Sequence, residues 1–399
     1  MSVTEADLAK ATKRLRKHPV DYGAWLEVAA LLEALGHTDD AEAAFLAIGD
    51  GARVGGQVAL AVACARHLAD LGSIRGPELI DQIVDSYANV RTRSGTVPPI
   101  LEEPPEIDPG EGTPLEQART LIAPLGKWLV ARKLPSVPKV PLLSGLTKPS
   151  ARALIGVMTA RVFAAGTVII ETGDPATALY WLAHGSARVE RDGQELGELH
   201  TGALFGEIAL VGGTRRTARV VARDDVWVLE IPARAVETAA EKHPKLAEVL
   251  ALHARQRLLA NLVRTSELFR ALGEDDREAL LAKFESQLVP AGTTIIKEGA
   301  RNEHLWVVCS GRCQVQAAGT EISDLGPGAA VGEISLVSGA VAVADVVVLE
   351  PAVLLRLSKQ DFDAVAKKHP ALLEEVEKLV IARETANRAL FQDATDLIV

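Results

Sequence analysis

Two tandem β-roll (jelly-roll-like) domains with flanking helices, behind an all-α N-terminal region, form the α+β architecture that this 399-residue chain predicts. Three observations carry it. The second half of the sequence repeats itself at a fixed offset. Each repeat strings together short β-rich runs and then changes to helical spacing after its strands. Residues 5 to 90 show no strand pattern, only short helical stretches.

The repeat comes first because its period decides the architecture. Ala165-Gly-Thr-Val-Ile-Ile170 returns as Ala291-Gly-Thr-Thr-Ile-Ile296, 126 positions on. Gly173, Gly185 and Gly202 return as Gly299, Gly311 and Gly328. Gly206-Glu207-Ile208 returns as Gly332-Glu333-Ile334, and His243-Pro244 as His369-Pro370, all at the same offset. A constant offset over so many matches marks a tandem duplication without net insertion. In copy one the β-rich runs are Thr167–Glu171, Leu179–Ala183, Ala187–Arg191, Thr217–Ala222 and Val226–Ile231, punctuated by Gly and by Asp192-Gly193. Short strands with closely spaced turns favour a small barrel or jelly roll. After Pro232 helical spacing runs to about Asn261, and copy two ends on a helix from about Ala371 to Leu390.

The head differs. Trp25, Leu32, Gly36, Ala41 and Phe45 stand at spacings that resemble a tetratricopeptide helical hairpin, with His18-Pro19 turning the chain into it. A looser second hairpin spans Gly56 to Asn89, and a plain helical bundle is the other reading of the same pattern. From Thr96 to Glu116, prolines alternate with Glu and Asp without any Lys or Arg. Such a stretch buries nothing and predicts an extended, solvated linker. An amphipathic helix, Leu115 to Arg132, then leads into the first β unit. The predicted domains are a tetratricopeptide-like region at 1–90, a linker at 91–116, the first β domain with its helix at 117–264, and the second at 265–399.

Composition excludes several classes. Lys+Arg 43 against Asp+Glu 53 gives a net charge of −10, a poor balance for general nucleic-acid binding. No apolar run reaches the roughly 18 residues of a membrane span, and Met1 to Val20 lacks the apolar core of a signal peptide. Cys64, Cys309 and Cys313 form no disulfide framework, and the Cys309/Cys313 pair has no second Cys/His pair to complete a zinc site. These features read as a cytosolic protein, and the Ala-, Arg- and Gly-rich, Lys-poor style reads as bacterial. No metal or cofactor is expected. G-x-S-x-G, H-E-x-x-H and a phosphate loop ending in Gly-Lys-Ser/Thr are all missing, and His184 and His200 stand alone, so the chain reads as no enzyme.

Chemistry concentrates in Phe205-Gly-Glu-Ile-Ala-Leu-Val-Gly-Gly-Thr-Arg-Arg-Thr-Ala-Arg-Val220. A short helix opening after Gly206 presents free backbone N–H groups and the positive end of its dipole, an anion site. Arg216 adds a planar guanidinium able to grip a phosphate through two parallel hydrogen bonds. Glu207 repels phosphate but accepts from a hydroxyl, so the ligand combines a phosphate with a nearby sugar hydroxyl. Arg215 and Arg219 read as solvated.

This stretch resembles the phosphate-binding cassette of the cyclic nucleotide-binding domain family, F-G-E-[IL]-A-L followed by R-x-A-x-V. Gly173-Asp-Pro, Leu179-Tyr-Trp-Leu, Gly185-Ser and the Asp192-Gly193 turn agree with it. The resemblance covers about 141–264 and 266–390, as in catabolite activator protein and kinase regulatory subunits. It implies that Glu207 accepts the ribose 2′-hydroxyl, that Arg216 pairs with the cyclic phosphate, and that backbone N–H groups of Gly206, Ile208 and Ala209 complete the cradle. Thr217 stands where a hydroxyl reaches a guanine amino group, so cAMP and cGMP both remain candidates. The base would stack on Val or Leu side chains, and the helices around Ala233–Leu262 would move.

Copy two reads Val331-Gly-Glu-Ile-Ser-Leu-Val-Ser-Gly-Ala-Val-Ala-Val-Ala-Asp-Val346. Ala342 replaces Arg216 and Asp345 replaces Arg219, while Glu333 is kept. Losing the buried cation should cost about 3–5 kcal/mol of phosphate binding, so copy two reads as a degenerate domain with a structural or dimerising role. The expected function is a cyclic nucleotide receptor binding one ligand in copy one. Its expected partners are the nucleotide, a protein bound by the N-terminal helices, and a second copy of itself, with no nucleic acid and no membrane. Two alternatives stand beside it. One is a kinase-regulatory-subunit-like inhibitor, for which Arg91-Thr-Arg93-Ser94 is the candidate inhibitory segment. The other is a ligand-free scaffold or adaptor whose rolls kept their turns and lost the ligand.

Overall fold

The computed structural model describes residues 3–89, 103–132, 140–191, 193–206, 215–250 and 273–368, parts of 370–381, and isolated positions at 134, 262 and 266. By contacts the chain divides into two units, Met1–Glu207 with Ala218–His253, and Ile208–Thr217 with Ala254–Val399.

In the first unit the head is helical, and its boundaries follow from local chemistry. Helix α1 (Glu5–Lys17) starts at a capping box in which Thr4 and Asp7 satisfy each other's backbone N–H groups. Asp21 caps α2 (Tyr22–Ala34) by accepting from Gly23 N at 2.9 Å. Trp25 Nε1 donates to the Pro19 carbonyl at 3.0 Å, so the His18-Pro19 turn is tied to the helix it leads into. Gly36 adopts φ +84° between α2 and α3 (Thr38–Val54). Trp25, Leu32, Ala41 and Phe45 are all fully buried. A second hairpin follows, α4 (Val58–Asp70) and α5 (Arg75–Tyr87).

The proline-acid stretch is described from 103. Residues 103–110 have no regular structure and are mostly exposed. Arg91-Thr-Arg93-Ser94 lies outside the described residues. Helix α6 (Pro114–Ala131) begins at a Thr113/Glu116 capping box and packs across α1 and α3, so it belongs with the head helices rather than with the strands. Two short helices not signalled by the sequence pattern, α7 (Pro141–Ser144) and α8 (Lys148–Gly156), bring the chain to the first roll.

That roll consists of β1 (Thr159–Phe163), β2 (Val168–Ile170), β3 (Ala178–His184), β4 (Ser186–Arg191), β5 (Gln194–His200), β6 (Leu204–Phe205), β7 (Arg219–Ala222) and β8 (Val226–Pro232). They form two antiparallel four-stranded sheets, β1-β8-β3-β6 and β2-β7-β4-β5. Between the sheets lie Ile170, Leu182, Ala187, Phe205, Val220, Ala222, Val226 and Val228. Helix α9 (Ala233–Lys242) follows, and residues 244–250 are again helical.

In the second unit, α10 (Glu274–Leu281) precedes β9 (Glu285–Val289), β10 (Thr294–Ile296), β11 (His304–Ser310), β12 (Cys313–Ala317), β13 (Thr320–Leu325) and β14 (Ala330–Val331). Helix α11 (Glu333–Ser338), β15 (Asp345–Val348), β16 (Ala352–Ser358) and α12 (Lys359–Ala366) complete it. The sheets run β14-β11-β16-β9 and β10-β15-β12-β13, the same order as in the first roll. Even the irregularities repeat, with register shifts at Leu182/His184 and Val308/Ser310. The described part of the predicted terminal helix, up to residue 381, is helical.

Candidate functional site

In the first roll, β6 delivers the chain to the candidate cassette. Leu204 and Phe205 pair with Trp181 and Tyr180 of β3, and the Tyr180 and Phe205 rings stack with centroids 5.4 Å apart. Gly206 follows with φ +82°, a left-handed backbone that glycine adopts without a Cβ penalty. Glu207, Ile208 and Ala209, and the short helix expected there, lie outside the described residues. Arg216 is only 6% exposed and Thr217 is half-buried, just before β7.

The matching segment of the second roll is described throughout. Gly332 (φ +92°) caps α11, so a helix opens directly after the glycine. A Cβ on Gly332 would stand 2.5 Å from the His304 carbonyl oxygen and 2.6 Å from Asn302 Nδ2, which excludes other residues. Asn302 Nδ2 donates to the carbonyls of His304 (2.8 Å) and Gly332 (3.2 Å), and Asn302 Oδ1 accepts from His304 N (3.3 Å). Copy one has Ala176 at that place. Glu333 is 2% exposed.

Ala342 lies in the apolar cluster of Val289, Ile296, Trp306, Val308 and Val346. Its backbone is fixed on both sides, Gly299 N donating to its carbonyl and its own N donating to Ala300 O, each at 2.8 Å. Asp345 accepts from the Glu298 backbone N at 2.6 Å.

Other candidates fall into structural roles. Arg219 is paired with Glu171 and Glu190 at 3.2 Å each on a half-exposed sheet surface. His200 is exposed. His184 is half-buried against the head, where Asp21 and Gly23 approach it, and its partial burial holds its pKa below the usual value. The three cysteines are buried free thiols, and burial pushes Cys309 up to about 12 and Cys313 to about 11. Among the described residues no group of His, Cys, Asp and Glu is placed to hold a metal, and no helix is long and apolar enough to cross a membrane.

The cyclic nucleotide-binding domain family matches residues 160–243 and 286–369, again 126 apart. The cGMP-dependent protein kinase egl-4 of Caenorhabditis elegans is 28% identical over 236 residues, covering 57% of this chain and 29% of that protein. The cAMP-dependent protein kinase regulatory subunit of Candida albicans is 25% identical over 239 residues, covering 59% and 50%. The chain spans half or less of the length of these curated relatives. The co-crystal structure of the regulatory domain of Toxoplasma gondii PKA with cAMP is 18% identical and covers 62% of this chain and 92% of that one at TM-score 0.30. The chain thus carries two tandem members of the cyclic nucleotide-binding domain family, one at 160–243 and one at 286–369.

Proposed function

We propose that the chain is a non-catalytic cyclic nucleotide receptor that takes one cAMP or cGMP per molecule, in its first domain. The observation that carries this reading is the exchange at one position of the repeat. Arg216 is an almost fully buried guanidinium, and its counterpart Ala342 is sealed in an apolar cluster. A cyclic phosphate in the first domain meets a planar double donor; in the second it meets methyl groups. Arg216 holds the phosphate, Gly206, Ile208 and Ala209 supply backbone N–H groups, Glu207 accepts from the ribose hydroxyl, and Thr217 is the position open to a guanine amino group. The second domain acts as structure, its cassette braced by Asn302 in place of a ligand. Binding is passed on by helix movement or a protein partner.

Calorimetric titration of the full chain with cAMP and with cGMP tests this reading. A stoichiometry near one with either ligand supports it, and no heat with both sinks it. Loss of that binding in Arg216→Ala assigns it to the first domain.

A further inference from the structure

The two rolls differ in what covers the outer face of the β-sheet that carries the cassette. In the second roll, Leu305, Val307, Cys309, Val353, Leu355 and Leu357 pack on that unit's own helices, through Leu280, Phe362, Val365, Val376 and Val380. In the first roll the head supplies cover. Helix α4 packs on β1, β3 and β8. Trp227, at the start of β8, meets the Phe45 ring at 5.7 Å and the His67 ring edge-on at 5.4 Å. Glu33 Oε2 lies 2.8 Å from His67 Nε2. Arg66 Nε donates to the Met158 carbonyl, next to β1, at 2.8 Å. Lys148 and Arg152 of α8 pair with Asp85 and Asp81 of α5.

The duplication shows that this contact is built into one copy alone. Trp227 corresponds to Val353 and His184 to Ser310. In the first roll these two residues are cross-strand partners and both face the head. In the second, Val353 is an ordinary core residue. At these two positions the aromatic and imidazole groups stand in the roll on which the head helices pack.

The same sheet leads to the cassette. Its strand order is β1-β8-β3-β6; β6 ends at Phe205, just before Gly206, and stacks on β3 through Phe205 and Tyr180, and β3 pairs with β8 up to His184 and Trp227. We infer that the N-terminal helical module is a cis-acting output element, docked on the first roll through Trp227 and coupled to the nucleotide bound beside Gly206. This rests on the receptor reading for its ligand, but the docking does not. Nucleotide held beside Gly206 stiffens β6, β3 and β8 and thereby tightens α4; by linkage, loosening α4 weakens the nucleotide to the same extent. The helix faces used are the ones a protein-binding module would otherwise offer, so an outside partner of α4 would compete with the roll.

The test is hydrogen–deuterium exchange on the full chain, with and without saturating cAMP or cGMP, combined with calorimetry. Wild type should show exchange in Val58–Asp70 slowed at least threefold by the nucleotide that binds. Trp227→Val, which installs the second roll's residue, should speed α4 exchange about tenfold without ligand and weaken nucleotide about fivefold or more, in the usual range of coupling between sites. If Trp227→Val also unfolds β8, Arg66→Ala is the deciding variant, because it removes the bond to Met158 from the head side; Asp70→Ala, which removes only the Arg66–Asp70 pair within α4, is its control. Unchanged α4 exchange in both variants overturns the docking. Bound nucleotide with no change in α4, and unaltered affinity in the variants, overturns the coupling. No nucleotide heat in wild type, with α4 still loosened by Trp227→Val, overturns the receptor reading and the coupling while the docking stands.

Discussion

Arg216 and Ala342 occupy one place in two copies of the same roll, and so do Trp227 and Val353. Strand order, register shifts and turn glycines are held in common, so the fold does not need either difference. A β-roll is stabilised by its inner apolar cluster and its turns; both copies keep these. What varies is the cation available at the cassette and the helices laid on the outer sheet. The comparison separates residues that make the roll from residues that give one roll a ligand and a neighbour.

The largest effect is expected from forcing the second copy to look like the first. Ala342→Arg places a guanidinium among Ile296, Trp306, Val308 and Val346. Overpacking together with charge burial should cost about 3 kcal/mol or more. Chemical denaturation should show the loss, and calorimetry should show no second nucleotide. A stable variant that gains a site would mean the second cassette needs only the arginine.

The reverse change, Arg216→Ala, removes a charge-assisted bidentate donor and should weaken nucleotide about a hundredfold, near 3 kcal/mol. Ligand at about 100 times its dissociation constant stabilises wild type by roughly 2.7 kcal/mol. At the same concentration the variant should show almost no rise in Tm. Arg216→Lys keeps the charge without the fork and should fall between the two.

Trp227→Val should destabilise the first unit by about 2–4 kcal/mol, as large-to-small core changes do. Val353→Ala, in the corresponding place, should leave α4 exchange untouched. Asn302→Ala removes the brace on the Gly332 carbonyl and should cost about 1–2 kcal/mol in the second unit, with nucleotide affinity unchanged.

The smallest effect is a pH dependence. Burial disfavours the charged form of His184, and the nearby Arg14 acts in the same sense, while Asp21 and Asp224 oppose it. The neutral imidazole therefore contributes its full stability above the unfolded value near 6.5. That contribution falls as the pH drops toward the depressed folded value, because the unfolded chain takes up the proton first. Melting between pH 7 and pH 5.5 should show a decline in wild type that is shallower in His184→Gln; equal slopes would remove His184 from the head contact.

The duplication was legible because the turns demand glycine. Gly173, Gly185, Gly202 and Gly206 all have left-handed φ, as do Gly299, Gly311, Gly328 and Gly332, so the offset in the sequence is a backbone requirement written twice. The strands with alternating or continuous apolar residues, β3, β7 and β8, were legible for the same kind of reason. Strand β5 was not, because Gln194–His200 is polar and largely exposed, nor was β6, which has two residues. Strand β1 is a half-exposed edge with no clear alternation. In the cassette, the exchange of Arg216 for Ala342 stood out in the sequence, whereas the bracing role of Asn302 and the use of Asp345 as a backbone acceptor depend on how loops meet. The head contact was hidden too. Phe45, His67 and Trp227 lie far apart in sequence, and each passes locally for a core residue. The available signal was the failure of Trp227 and His184 to repeat at 353 and 310.

The most direct measurement is the nucleotide stoichiometry of the full chain by titration calorimetry, run beside Arg216→Ala. One bound cAMP or cGMP per wild-type chain, with binding weakened about a hundredfold in the variant, is the predicted result. Two sites of similar affinity, or one site that survives Arg216→Ala, would contradict it.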